Sequence, residues 1–358
     1  MKLTLSPESR RLNDNNRNIF FNKNQSWTCP APYRTLNISK EGICYICHSS
    51  AWLAVDVGNV LDDSIIDIWM GERANTLRRT VTGESSPASF YYCNHKVCPY
   101  LRDKDFSSIS KGDFKYAESI DIDDVNLPIR LNLDFDLTCN FACEMCRTHT
   151  ITDINPKHQI IVDRIKEFLD LFHTRLEIKL NGGEPFMSKS YKELMQHVAD
   201  NLQDRPIKFQ IATNGSTLLA NRKLLESAIK NISSFRVSID AASKGTYESI
   251  RKGGNWENLL KNLQFLSELR TANDDFQITA DFLVQADNFR EIPDYIKLVD
   301  SYGFDHIRIQ HLWNWDTWDQ KTFDSKNVFD IKHPDHAELM KIINELDHPK
   351  LISGYKTR

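Results

Sequence analysis

"IRLNLDFDLTCNFACEMC", residues 129–146, reads as a β-strand that runs into a loop loaded with thiols. The strand is 129–135, and Cys139, Cys143 and Cys146 follow at the spacing C-x3-C-x2-C. Three thiolates so spaced can converge on one metal centre, yet a structural zinc takes four protein ligands. A coordination position is left open. A cubane iron-sulfur cluster held by three cysteines keeps one iron free for a small molecule, and thiolates suit such clusters. A zinc ion completed by His149 is the other reading of the same residues.

Outward from this loop the pattern is strand, helix, strand, repeated. Further strands are expected at 175–181, 207–213, 234–240, 276–284 and 306–312, with helical stretches at 158–173, 190–202, 218–230, 255–270 and 292–303 between them. Six strands alternating with helices pair in parallel through right-handed crossovers, which predicts an α/β barrel or partial barrel. In such barrels function gathers where strands end and loops begin. The conspicuous residues fall there: the cysteine trio after the first strand, "NGGEP" (181–185) after the second, "TNG" (213–215) after the third, and "SID" (238–240) closing the fourth.

These motifs, in this order over roughly 127–312, resemble those of the radical S-adenosylmethionine (SAM) enzymes, which carry C-x3-C-x2-C after the first strand of a partial (β/α)6 barrel. The resemblance implies a [4Fe-4S] cluster on Cys139, Cys143 and Cys146 whose open iron chelates SAM. It also implies reductive cleavage of SAM to a 5′-deoxyadenosyl radical that abstracts hydrogen from a substrate. Gly182, Gly183, Glu184 and Pro185 match the turn that binds the SAM amino group: glycines let the backbone approach and Glu184 can accept from an ammonium. Asn214, Ser238 and Asp240 match strand ends that face the methionyl and ribose groups. Arg251, in "YESIRKGG" (247–254), matches an arginine held to the SAM carboxylate, for which a guanidinium fork is suited. Relatives usually carry an aromatic before the third cysteine. This chain has Met145, which predicts altered packing near the adenine.

The other five cysteines, Cys29, Cys44, Cys47, Cys93 and Cys98, all precede the barrel, and none follows residue 146. Clustering of this kind without a secretion signal favours metal ligation over disulfides. Two short strands around a Gly turn are expected in 35–47, and one helix over 63–81 capped by Asp63 or Ser64. With "GN" at 58–59 and "CNHKVC" at 93–98, the segment resembles the SPASM or twitch modules that hold auxiliary iron-sulfur clusters, although these ordinarily follow the barrel. Five cysteines suffice for one cubane but not two. The expected ligands are Cys29, Cys47, Cys93 and Cys98, with Cys44 extra or an alternative, and a four-cysteine zinc site is the rival. His95 is expected to be a loop residue.

The organisation expected is therefore a polar arm (1–28), the cysteine module (29–100), a linker (101–126), the barrel (127–312) and a C-terminal extension (313–358). With 45 Lys and Arg against 49 Asp and Glu, and a net charge of -4, the chain is not built as a dedicated nucleic-acid or membrane-surface binder. No stretch approaches the roughly 18 to 20 apolar residues of a membrane span, and the start lacks a signal-peptide core, so a cytoplasmic location is expected. Gln310, His311, Trp313, Trp315 and Trp318 stand where the last strand ends and could line a pocket or simply pack the tail. The resemblance implies an oxidoreductase-like enzyme served by an external one-electron donor such as flavodoxin or ferredoxin. The substrate it suggests is a ribosomally made peptide; a sugar or small metabolite is the alternative. A non-catalytic iron-sulfur or zinc scaffold is the reading from another class.

Overall fold

The computed structural model describes residues 31–47, 53, 55–80, 127–152 and 155–352. Cys29, Cys93, Cys98 and His95, the arm 1–28 and the linker 101–126 lie outside the described residues. The chain divides into two compact units. The first comprises residues 1–136, 155–179 and 205–207, and the second 137–154, 180–204 and 208–358.

In the first unit, β1 (Thr35–Ile38), β2 (Ile43–Tyr45) and β3 (Gly58–Asn59) form an antiparallel meander, and β1 pairs in parallel with β4 (Arg130–Leu133). The order is β3-β2-β1-β4-β5, with β5 at Leu176–Leu180. The "GN" pair does structural work: Asn59 donates from Nδ2 to the Glu41 carbonyl and accepts from the Leu61 amide, fastening β3 to the β1–β2 turn. Two helices stand where one was expected. α1 (Ile65–Met70) is capped by Ser64, which accepts from the Asp67 amide, and α2 (Glu72–Thr80) starts anew after Gly71. The extended backbone at Gly71 breaks a run whose apolar period continues across it. Trp69 is wholly buried beneath the Arg78 guanidinium, 4.3 Å from its ring centroid. The same guanidinium donates to the carbonyls of Pro32 and Trp69. Burial lowers the Arg78 pKa to about 10. α3 (Lys157–Leu171) buries Ile161, Val162, Ile165, Phe168 and Leu169, spaced as one face of a 3.6-residue helix.

In the second unit, β6 (Ile207–Thr213), β7 (Ile232–Ser238), β8 (Gln277–Leu283) and β9 (His306–Gln310) lie in sequence order and pair in parallel. The intervening helices are α4 (Lys189–Asn201), α5 (Arg222–Ala228), α6 (Lys244–Ile250), α7 (Trp256–Ala272) and α8 (Ile292–Ser301); α9 (Gln320–Lys326) and α10 (His336–Glu345) follow. Side-chain caps set several starts, Ser188, Ser243 and Asn255 each accepting an amide three residues on. One face of the strands is apolar and buried, with Phe235, Val237, Ile278, Ala280, Phe282, Ile307 and Ile309 all inaccessible. The Phe282 ring packs on Tyr295 of α8, which places helices on that face. The free side of β9 is not bare, since Ile307 exchanges backbone hydrogen bonds with Lys350 and Ile352. In each unit strands paired in parallel alternate with helices and the sheet stays open, the α/β class that the strand–helix alternation predicted.

Candidate active site

All parts of the site lie in the second unit. The cysteine loop is pinched at its base by a two-way backbone exchange between Cys139 and Ile151, at 2.8 and 3.1 Å. Inside it, the amides of Cys146 and Arg147 both donate to the Cys143 carbonyl, folding the last two cysteines into one turn. Cys139 and Cys143 are buried and Cys146 is exposed. Burial pushes the Cys139 and Cys143 thiols up.

Three turns grip this loop. The first is the "GGEP" turn, where a β-carbon on Gly183 would lie 2.0 Å from the Thr138 carbonyl oxygen. Only glycine fits so close to a backbone carbonyl. The Glu184 amide, next along, donates to that same oxygen at 2.7 Å. Arg147 closes the seam by donating to the carbonyls of Leu137 (2.8 Å) and Gly182 (3.1 Å), with Nη2 also 3.5 Å from the Cys146 sulfur. Burial opposes the Arg147 charge, but the neighbouring cysteine sulfurs outweigh it and raise its pKa.

The second grip is the "TNG" turn. Asn214 donates from Nδ2 to Asn140 Oδ1, Asn140 donates to Ser216 Oγ, and Ser216 Oγ donates back to Asn214 Oδ1, closing a ring of three side chains. Asn140 directly follows the first cysteine, so this ring ties the loop to the end of β6. Glu184 joins the same strand end. Its carboxylate accepts from Thr213 Oγ1 (2.8 Å), the Asn214 amide (2.6 Å) and the Phe186 amide (3.3 Å). Burial pushes Glu184 up to about 7 against those three donors.

The third grip is the stretch after α6. The Ala142 amide donates to the Lys252 carbonyl, and Gly253, at φ +95°, brings its backbone against Asn140 and Phe141. Lys252 also pairs with Glu144. This delivers Arg251 beside Cys143, where Nη2 meets Asp240 Oδ2 at 2.5 Å. Asp240 is almost wholly buried and sits at φ +62°, a left-handed conformation that costs any side chain strain, although Asp tolerates it better than most. Its Oδ1 accepts from the Leu283 amide, and its own carbonyl accepts from Asn288. Burial raises the Asp240 pKa, opposed by Arg251. Arg251 Nε and the hydroxyl of the buried Tyr247 have no hydrogen-bond partner among the described residues.

The residues expected from the sequence therefore come together with different duties. Gly183 lets the turn close on the loop, Pro185 is buried within it, Glu184 and Asn214 brace it, and Asp240 and Arg251 pair with each other. Ser238 is half-buried on β7, and Met145 is buried between Glu144 and Cys146. Arg147, Asn140, Ser216 and Tyr247 escaped the sequence reading because nothing local marks them; only the position of Arg147 directly after the third cysteine offers a hint. Among the described residues no group of three His, Cys, Asp or Glu side chains is gathered to hold a single metal ion. Of the module cysteines described, Cys44 is inaccessible, donates to the Gly42 carbonyl and is pushed up to about 12 by burial, and Cys47 is buried. At the end of β9, the His311 ring stacks on Phe329 with centroids 3.7 Å apart, while Trp313 and Trp315 are exposed.

The sequence profile of the radical SAM superfamily matches residues 137–309, and that of an iron-sulfur cluster-binding domain, SPASM, matches residues 29–99. Residues 137–309 belong to the radical SAM superfamily. Its SPASM region precedes the barrel. A GTP 3′,8-cyclase of Lactiplantibacillus plantarum is 24% identical over 204 residues, which is 54% of this chain and 58% of that one. Another, from Rhizobium etli, is 24% identical over 177 residues, 49% of each. The chain spans about half the length of the curated relatives it matches. The solved structure of Streptococcus suis SuiB bound to S-adenosylmethionine is similar at 14% identity and a TM-score of 0.44, covering 68% of this chain and 53% of that one.

With a radical SAM region and a SPASM region, the chain takes [4Fe-4S] clusters and SAM as cofactors. The donor chemistry around the loop fits. Two buried thiols whose ionisation burial opposes would gain from iron, and two guanidiniums flank the sulfurs. Among the described residues no helix is long and apolar enough to cross a membrane.

Proposed function

We propose that Cys139, Cys143 and Cys146 hold the cluster that binds SAM and that the chain is an oxidoreductase-like radical enzyme. When bound, cluster and SAM would supply the one-electron cleavage that yields a 5′-deoxyadenosyl radical able to take hydrogen from a substrate. The observation that carries this reading is the triple grip on the cysteine loop by the "GGEP", "TNG" and "RKGG" turns. A mere thiol scaffold has no need of those three turns.

In this reading Gly182 and Gly183 admit the methionyl end of SAM close to backbone, and Arg251 presents its unpartnered Nε to the carboxylate. Asp240 fixes Arg251 in place from β7. Glu184 and Asn214 act as positioning residues, their polar atoms directed at protein partners. Cys29, Cys47, Cys93 and Cys98 would hold the auxiliary cluster, and the buried Cys44, which donates to a backbone carbonyl, would be the cysteine left over. The substrate is a ribosomally made peptide, a reading supported by the SPASM region, and a low-potential protein such as flavodoxin or ferredoxin supplies the electron. A cytoplasmic location goes with such a donor.

The test is anaerobically reconstituted protein given SAM and dithionite, with 5′-deoxyadenosine measured beside Cys143→Ala. Production by the wild type alone supports the reading. A fully clustered wild type that neither binds nor cleaves SAM would return the chain to the scaffold class.

A further inference from the structure

The face of β7, β8 and β9 opposite the helices is polar. Ser234, Arg236, Ser238, His306, Arg308 and Gln310 are all half-buried there, while their strand neighbours on the other face are inaccessible. Across this face Ser238, Asp281 and Arg308 stand in register on the three strands. Arg236 lies two residues before Ser238 on β7, on the same side. Its strand neighbours, Ala212 on β6 and Thr279 on β8, are small and leave it uncovered.

Asp281 is a nearly buried carboxylate shared by two guanidiniums. Arg308 donates from Nε and Nη2 at 2.8 and 2.6 Å, and Arg236 from the same pair of nitrogens at 3.3 and 2.8 Å. One carboxylate neutralises one guanidinium, so the trio carries a net charge of +1. The nearby Asp240 is already matched by Arg251. Among the described residues neither Nη1 group has a hydrogen-bond acceptor, and the arginine side chains remain 30% and 27% exposed. Two forks held rigid by a buried carboxylate, with donors left over, make a preformed oxyanion receptor. Asp240 follows Ser238 by two residues, so the receptor lies about 6 to 7 Å along the strand from the Asp240–Arg251 pair.

We infer that Arg236 and Arg308, set by Asp281, bind an anionic group of the substrate, a carboxylate or a phosphate, beneath the SAM site. This rests on the radical SAM reading for its role but not for the binding itself. A carboxylate would come from an acidic residue of a peptide, and a phosphate from a phosphorylated small metabolite.

The experiment is calorimetric titration of the reconstituted protein, with and without SAM, using inorganic phosphate in one arm and succinate in the other at constant ionic strength. Binding in either arm, weakened at least about tenfold by Arg308→Gln and tightened severalfold by Asp281→Asn, is the expected result. The responsive arm names the substrate group. Asp281→Asn is the decisive variant, because it raises the receptor charge to +2 and a folding defect cannot mimic a gain of affinity. No binding in either arm, or equal binding by wild type and both variants, overturns the inference. SAM cleavage with no anion binding sinks this inference alone, and anion binding with no SAM binding sinks the radical SAM reading alone.

Discussion

Replacing Gly183 by alanine tests whether the "GGEP" turn and the cysteine loop form one packed unit. The new β-carbon would lie 2.0 Å from the Thr138 oxygen, 2.6 Å from the Leu137 carbonyl carbon and 2.7 Å from that of Thr138. All three are backbone atoms, so no side chain can swing away. For the oxygen to reach 3.0 Å, one backbone must retreat by about 1 Å. That movement stretches the 2.7 Å hydrogen bond from the Glu184 amide to the same oxygen. Overpacking typically costs about 1 to 3 kcal/mol, and an unpaired buried backbone group about 1 to 3 more. A loss of roughly 2 to 6 kcal/mol therefore falls on a domain whose whole stability is of order 5 to 15.

Denaturant unfolding of the anaerobic protein, followed by circular dichroism, gives the stability change, and iron content after reconstitution gives the effect on the loop. Gly245→Ala is the control. Nothing lies within 4 Å of its added carbon, and it sits near the start of α6, so it should be neutral or stabilise by up to about 1 kcal/mol. Gly183→Ala should load less iron and bind SAM poorly. Unfolding within about 0.5 kcal/mol of the wild type, with full iron content, would refute the packing argument.

Other consequences can be checked directly. Arg251→Gln leaves the buried Asp240 carboxylate unpaired and should cost about 3 to 5 kcal/mol. Adding Asp240→Asn should recover part of that loss, and a strictly additive double mutant would show that the pair does not interact. Burial pushes Asp134 up to about 6 from an ordinary 3.8, so its contribution to stability is full below pH 3.8 and is lost as the pH rises through 6. Asp134→Asn should therefore gain roughly 3 kcal/mol on the wild type between pH 4 and pH 8, read from unfolding curves at the two values. Of the five described cysteines, iodoacetamide on cluster-free folded protein should label Cys146 first and Cys44 last, since one is exposed and the other inaccessible with its thiol pushed up to about 12. Peptide mass mapping reads the order, and early labelling of Cys44 would contradict its buried place in β2.

The legible part of the fold was the part written in local periodicity. β6 falls at 207–213, as alternation predicted, and the long helices lie within one or two residues of expectation. The expected helix over 63–81 is two helices because an apolar period says nothing about the extended backbone at Gly71. α6 went unread because "KGTYESI" has no sustained apolar face and is only two turns long. The thiols and the "GGEP" turn could be read as motifs, but their partners could not. The Gly183 contact spans 45 residues and the Asn140–Asn214 bond 74, distances at which a single sequence carries no pairing information.

What the geometry adds is a division of labour among residues that sequence alone would assign to one ligand. Glu184 already accepts three hydrogen bonds, Asn214 belongs to a closed ring of side chains, and Asp240 faces the Leu283 amide and Arg251. A carboxylate has lone pairs for about four donors, so Glu184 retains one at most for an incoming ammonium. The groups with unused capacity are Arg251 Nε and the Tyr247 hydroxyl, both buried near Cys143. A buried donor without an acceptor costs about 1 to 3 kcal/mol, and a strained left-handed Asp240 adds to that. Under the proposed function, a carboxylate arriving beside Cys143 would supply the acceptor that these two donors lack among the described residues. On that reading, recognition of SAM would rest on these two side chains delivered by α6 and its following turn, while the conspicuous motif residues hold the cysteine loop still.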